Sequence, residues 1–190
     1  GRGIMQGHSQ GRMPEKFVGG IGEEGVKAID TYAKSGGTII LFDASSDFAI
    51  EQFKLPVKNV LSGLKDTEFF IPGSLIRTDI DTSNPLAFGM MNQVAASFDN
   101  SGAFAVESGA QGIEEVARYA SDNLLMSGWA MGEEKYLANT SAMLNVSYGG
   151  GNLVLFGFKP QFRGQPRGTY KLIFNSIYQG AKKNKINTKR

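Results

Sequence analysis

The residue types best suited to chemistry gather at one corner. In the segment IILFDASSDFAIEQF, residues 39–53, a continuous apolar run passes through Asp43, Ala44, Ser45, Ser46 and Asp47 into a helix-like stretch. Hydrolases and amidotransferases hold an attacking side chain where a buried strand turns sharply into a helix. Ser45 or Ser46 as nucleophile needs a base, and the only histidine is His8, in a Gly-rich arm. The glycines of a G-x-S-x-G elbow are also missing. A serine-dependent hydrolase thus stands as an alternative with an unidentified base. Asp43 with Asp47 offers an acid–base pair, but short polar side chains just past a strand more often bond local backbone N–H groups. Ser46 or Asp47 is the expected cap of a short helix ending near Gln52.

A second group leaves a strand near the carboxyl terminus. Phe156-Gly157-Phe158-Lys159-Pro160-Gln161-Phe162-Arg163-Gly164-Gln165 turns on Pro160 and delivers Gln161, Arg163 and Gln165 into a loop before a helix. Such loops bind ligands in open α/β sheets, and Arg163 suits a carboxylate or phosphate. The competing reading is a loop pinned to the sheet by its own amides and guanidinium. Asp43, Ser45, Ser46, Asp47, Gln161, Arg163 and Gln165 are therefore the expected walls of a pocket for a small polar ligand.

Other motifs carry less. Gly20-Ile21-Gly22-Glu23-Glu24-Gly25 matches G-x-G-x-x-G before a helix, as in a dinucleotide-binding module. Only Phe17-Val18 precedes it where a strand is needed, and Glu23-Glu24 would repel pyrophosphate. With no cysteine and one histidine the chain cannot build an ordinary zinc site, and disulfides are excluded. Asp79-Ile80-Asp81 lacks EF-hand spacing and reads as a solvated strand end. Trp129 is expected to be a packed anchor.

The elements that must position these groups follow from periodicity. Val26, Ile29, Tyr32 and Ala33 recur at helical spacing, with Gly36-Gly37 as the stop. Thr38–Phe42 reads as a strand covered on both faces. Beyond Pro56 the pattern gives a turn or helix over 57–64 and strands over 69–71, 74–80, 103–106 and 115–119. Strands over 142–148 and 152–158 flank Gly149-Gly150-Gly151 as a hairpin. A helix over 169–179 is expected to stop at Gly180. The sum is a layered α/β domain over 21–180, with a mostly parallel sheet flanked by helices and a carboxy-terminal hairpin, its first strands lacking. Residues 1–20 read as an arm or the remainder of an upstream segment, and 181–190 as a basic flexible tail.

Composition is that of an ordinary globular domain, and 190 residues can bury a real core. A net charge of +2, much of the positive charge lying in the tail, gives no footprint for nucleic acid. No apolar run is long enough for a membrane span, and no leader is evident. The chain opens Gly1-Arg2-Gly3 rather than with Met, which reads as a fragment or a processed product.

Several stretches in order resemble the carboxy-terminal region of large bacterial zinc carboxypeptidases of the carboxypeptidase A type. They are residues 13–26, the corner Asp43–Glu51, Leu55–Val60, Phe70–Ser74, and Phe156–Gln165 with Gly168-Thr169. The resemblance implies a class I glutamine-amidotransferase-like fold attached after a peptidase domain, which would be the chain's partner and would hold the zinc. No cofactor is implied for this chain. It also implies proteolysis of C-terminal residues by the parent, a secreted or periplasmic setting, and no peptidase ligands here, since the His-x-x-Glu motif cannot be placed. Where glutaminases keep a cysteine the sequence offers Ala44, Ser45 and Ser46, and their Phe-His-Pro-type loop reads Phe158-Lys159-Pro160. The expected function is a non-catalytic amidotransferase-like accessory domain, with no catalytic residue of its own.

Overall fold

The computed structural model describes residues 2–9, 11 and 13–187, and side chains up to Ala181 apart from that of Arg2. The flexible-tail reading of 181–190 falls largely on side chains outside that range. Helix α1 (Arg2–Gln6) leads through a short 3-10 turn to α2 (Gly22–Lys34). Strand β1 (Thr38–Phe42) feeds α3 (Ala44–Gln52), then β2 (Val57–Asn59), β3 (Ser74–Ile80), a 3-10 turn at Pro85–Ala87, and β4 (Gln93–Phe98). Strands β5 (Phe104–Val106), β6 (Ile113–Tyr119) and β7 (Leu125–Ser127), helix α4 (Glu133–Tyr136), the pair β8 (Ser141–Tyr148) and β9 (Gly151–Phe156), and helix α5 (Tyr170–Asn187) follow.

These strands form one mixed sheet in the order β1-β9-β8-β6-β3-β4, with β5 joining β2 to β8 and β7 beside β3. The α/β class stands, and the sheet is partly parallel: β1 runs parallel to β9, while the other described pairs are antiparallel. Side chains alternate across the sheet, so each strand feeds two cores. Leu41, Leu153 and Leu155 pack with Ala33 of α2 and Phe48 and Ala49 of α3 on one face. Val154, Phe156 and Met143 pack with Leu172 of α5 on the other. Ile4 and Met5 of the arm join the first core.

Glycines explain several close approaches. A Cβ on Gly151 would lie 2.0 Å from the Gly37 carbonyl, so the hairpin can tuck against the α2–β1 turn only with glycine there. Gly180 does not end α5, which continues through it to Asn187. A Cβ on it would meet the Thr38 side chain at 2.9 Å, so this glycine serves helix-on-strand contact rather than termination. Tyr32, expected on the buried face of α2, is half exposed and lies over Gly37, where a Cβ would strike its ring.

Three further expectations change. Residues 57–64 contain β2 and a turn rather than a helix, with Val57–Asn59 paired to Phe104–Val106. Residues 69–71 make only an isolated bridge, Phe70 to Met131, because Pro72-Gly73 cuts the run before it can form a ladder. The second hairpin strand ends at Phe156, two residues early, as Gly157 and Phe158 bend toward the next loop.

Candidate functional site

The corner between β1 and α3 turns on Asp43, which holds φ 53° and ψ −129°. For a residue with a Cβ this is a costly conformation, of order 1–3 kcal/mol, and such strain concentrates at functional sites. It persists because the ends are pinned: Asp43 N–H donates to the Phe156 carbonyl at 2.9 Å, and Ser46 N–H donates to the Asp43 carbonyl at 2.9 Å. The strained residue of the elbow is thus Asp43, one position before the Ala44–Ser46 stretch aligned with a glutaminase cysteine.

Both serine hydroxyls are engaged by backbone carbonyls. Ser46 is fully buried, and its hydroxyl donates to Leu41 and Phe156 carbonyls at 3.3 and 2.9 Å. Ser45 donates to the Phe42 carbonyl at 2.6 Å. Neither Ser46 nor Asp47 caps α3, whose cap position is Asp43 without a side-chain bond. Asp47 accepts from the Asn59 amide at 3.0 and 3.3 Å, and Asn59 in turn accepts from Leu61 and Ala103 N–H groups. It ties α3 to the β2–β5 edge and does not pair with Asp43 as an acid–base couple.

What Asp43 does face is Lys159. The ammonium lies 3.8 Å from Asp43 Oδ2 and 2.7 Å from Asp99 Oδ2, shared between two carboxylates. Lys159 follows β9 in the Phe158-Lys159-Pro160 stretch that the resemblance sets against a Phe-His-Pro-type loop, and the sheet brings it beside the strained elbow residue. Asp43 Oδ1 is buried and accepts no hydrogen bond. Burial pushes its carboxyl above the usual carboxylate range, and Ser101, Lys159 and the Ala44 amide only partly offset this. The buried Tyr119, whose hydroxyl donates to the Gly102 carbonyl at 2.9 Å, is held protonated by burial and by the Asp43 charge. Burial likewise raises Asp47, against the Asn59 bond.

The loop after Lys159 closes as a tight turn. Phe162 and Gln165 exchange backbone hydrogen bonds of 2.9 and 2.8 Å, with Arg163 and Gly164 at positive φ between them. The Phe162 ring lies under both the Lys159 ammonium, at 5.1 Å, and the Arg163 guanidinium, at 5.2 Å. Gln161, Arg163 and Gln165 are exposed on this turn. The geometry therefore joins Asp43, Lys159 and Asp99, with the Phe162 ring beneath both the lysine and Arg163. Asp99 was missed in the sequence because β4, which ends beside it, gave no recognised strand pattern. Lys159 was visible at the histidine's place but had no assigned partner.

The remaining motifs resolve structurally. A Cβ on Gly20 would lie 2.4 Å from the Ile4 carbonyl, so the first glycine of the G-x-G-x-x-G match admits the α1 segment, and among the described residues no strand leads into that helix. Asp79 accepts from Gln93, and Asp81 from Ser83. Trp129 is anchored by its backbone, which brackets the Ser74 hydroxyl at 2.6 and 3.0 Å, while its ring stays half exposed, edge-on to Phe70. Among the described residues no cluster of three metal-binding side chains occurs, and no helix is long and apolar enough to cross a membrane.

Comparison with solved structures places the fold. The chain is similar to a GMP synthase component from Thermoplasma acidophilum, with TM-score 0.54 and 11% identity over 87% of this chain and 68% of that one. It is similar to a ThuA-like protein from Parabacteroides merdae, with TM-score 0.52 and 14% identity over 84% and 66%. A β-galactosidase from Bacillus circulans matches with TM-score 0.53 and 13% identity over 84% of this chain, which spans only 21% of that enzyme. The fold is amidotransferase-like. No protein-family model and no curated protein matches the chain.

Proposed function

We propose that this chain is an amidotransferase-like domain without amidotransferase chemistry, serving as an accessory unit of a larger hydrolase, a bacterial zinc carboxypeptidase. The observation that carries the reading is the Asp43–Lys159 pair at the elbow. Thioester chemistry needs a thiolate beside a base that can accept and return a proton. A carboxylate facing an ammonium that is itself held by Asp99 provides neither. The corner keeps the strained backbone of a nucleophile site and fills it with an ion pair.

The accessory role rests on two supports. One is the ordered sequence resemblance to the region after a peptidase domain. The other is that a similar fold makes up about a fifth of the much longer β-galactosidase chain. In this reading the peptidase domain is the partner and carries the zinc, while Arg163 and Phe162 offer a small polar or anionic group a place to rest at the strand ends. The setting is secreted or periplasmic.

Purified chain, after dialysis against metal-free buffer, is expected to hold no stoichiometric zinc by elemental analysis and to release no C-terminal residue from test peptides. One tightly held zinc per chain would overturn the proposal. In the parent protein, the residues immediately upstream are expected to encode two further strands preceded by a His-x-x-Glu peptidase domain.

A further inference from the structure

At the opposite end of β1 from Asp43, a pocket of about 300 Å³ opens between the sheet, the Pro85–Ala87 turn and α5. That volume is the lower end of the range that takes small organic ligands. The sheet face beneath α5 is otherwise apolar, carrying Met143, Val154 and Phe156. On this same face, however, Glu114 of β6 stands opposite Asn145 of β8, and Asn152 of β9 stands opposite Thr38 of β1. Asn84 is buried, Asn145 and Asn152 are half-buried and Glu114 is exposed, so the cluster forms a polar rim on an otherwise apolar face.

They are wired in one direction. Asn152 Nδ2 donates to Asn145 Oδ1 at 3.0 Å, Asn145 Nδ2 donates to Glu114 Oε2 at 2.9 Å, and Asn84 Nδ2 donates to the same oxygen at 3.3 Å. The amides thus orient a single carboxylate and load one of its oxygens, with no other charged side chain among the described lining. Asn84 is fixed in turn, since its Oδ1 accepts from Leu86 N–H at 2.9 Å. Pro85, Leu86 and Val154 supply an aliphatic stretch of wall, with Thr38, Ser176 and Gln179 completing the polar lining.

A pre-oriented carboxylate with no cation among the described lining, beside an aliphatic wall, is complementary to an ammonium group on a short apolar body. We propose that this pocket binds a small primary amine, with the ammonium on Glu114 and the alkyl body along Leu86 and Val154. Anions are rejected by Glu114, and neutral alcohols lack the charge that the carboxylate selects. The site is separate from the Asp43 corner and does not depend on the accessory-domain reading.

The test is a titration of isotope-labelled protein followed by NMR, with n-butylamine hydrochloride as probe and 1-butanol and sodium butyrate as controls. Butylamine is expected to shift the side-chain amide signals of Asn84, Asn145 and Asn152 saturably, and the controls are not. Glu114→Gln, at an exposed strand start where folding tolerates the change, is expected to weaken binding about tenfold or more while the spectrum stays dispersed. Gln179→Trp, which fills the mouth from α5, is expected to abolish it. Equal affinity in Glu114→Gln, a butanol response matching that of butylamine, or no saturable shift with butylamine would each overturn the proposal.

Discussion

Asp43 is held in a conformation that disfavours it, with one buried oxygen that accepts no hydrogen bond. Glycine adopts that backbone without strain, so Asp43→Gly removes about 1–3 kcal/mol of strain. The change forfeits a partly exposed pair with Lys159 worth about 0–1 kcal/mol and adds unfolded-state entropy of about 0.5–1 kcal/mol. Thermal unfolding should show a net gain of about 1 kcal/mol, or roughly 2–4 °C at this chain length. A lower melting temperature would mean that the corner is not strained. The pH dependence has a defined sign. Burial raises the Asp43 carboxyl above its ordinary value of 3.8, so the folded state keeps this proton to higher pH than the unfolded chain does. The stability contributed is complete below the ordinary value and falls as pH climbs through the raised one. Asp43→Asn should remove that fall, its advantage over the wild type growing from about pH 4 upward in urea unfolding. The sequence showed that a corner lay here, but not which residue carried its strain, because positive φ at a non-glycine leaves no compositional trace. Ser46 is the contrasting case. Its hydroxyl serves two carbonyls, and Ser46→Ala should cost about 1 kcal/mol, measurable in the same unfolding experiment.

At the scale of elements, α2 was legible from apolar positions at helical spacing before a glycine stop, β1 from a continuous apolar run, α3 from the polar corner that opens it, and the β8–β9 hairpin from Gly149-Gly150-Gly151. Strand β4 escaped because two of its alternating positions, Ala95 and Ala96, are too small to signal a face, although Val94, Ala96 and Phe98 are buried. Strand β7 is short and exposed, so no burial pattern marks it. Gly180 misled for a physical reason: a glycine that stops a helix and one that lets a helix touch a strand look alike in sequence. The two roles separate experimentally. Helix propensity alone favours Gly180→Ala by about 1 kcal/mol. The contact with Thr38 reverses that, since the new Cβ would sit 2.9 Å from the Thr38 Cβ and Oγ1. Gly180→Ala should therefore lower the melting temperature, and Thr38→Gly in the same chain should recover part of the loss. A stabilised single variant would restore the terminator reading.

The whole molecule is a mixed sheet with a core on each face, and its two ends carry different chemistry. One end holds a strained elbow where Asp43 faces Lys159; the other holds a pocket built around Glu114. The α/β class was readable from alternating helical and strand periods. The partner of the elbow was not, because Lys159 and Asp99 meet it only after β9 and β4 are placed in the sheet. In the reading proposed above, the amidotransferase-like scaffold carries an ion pair at its elbow in place of glutaminase chemistry. Ammonia release from glutamine, measured with purified chain at millimolar substrate, tests this most directly. The expected result is release no faster than from buffer, unchanged in Asp43→Asn and Lys159→Ala. Sustained ammonia production that disappears in Asp43→Asn would contradict it.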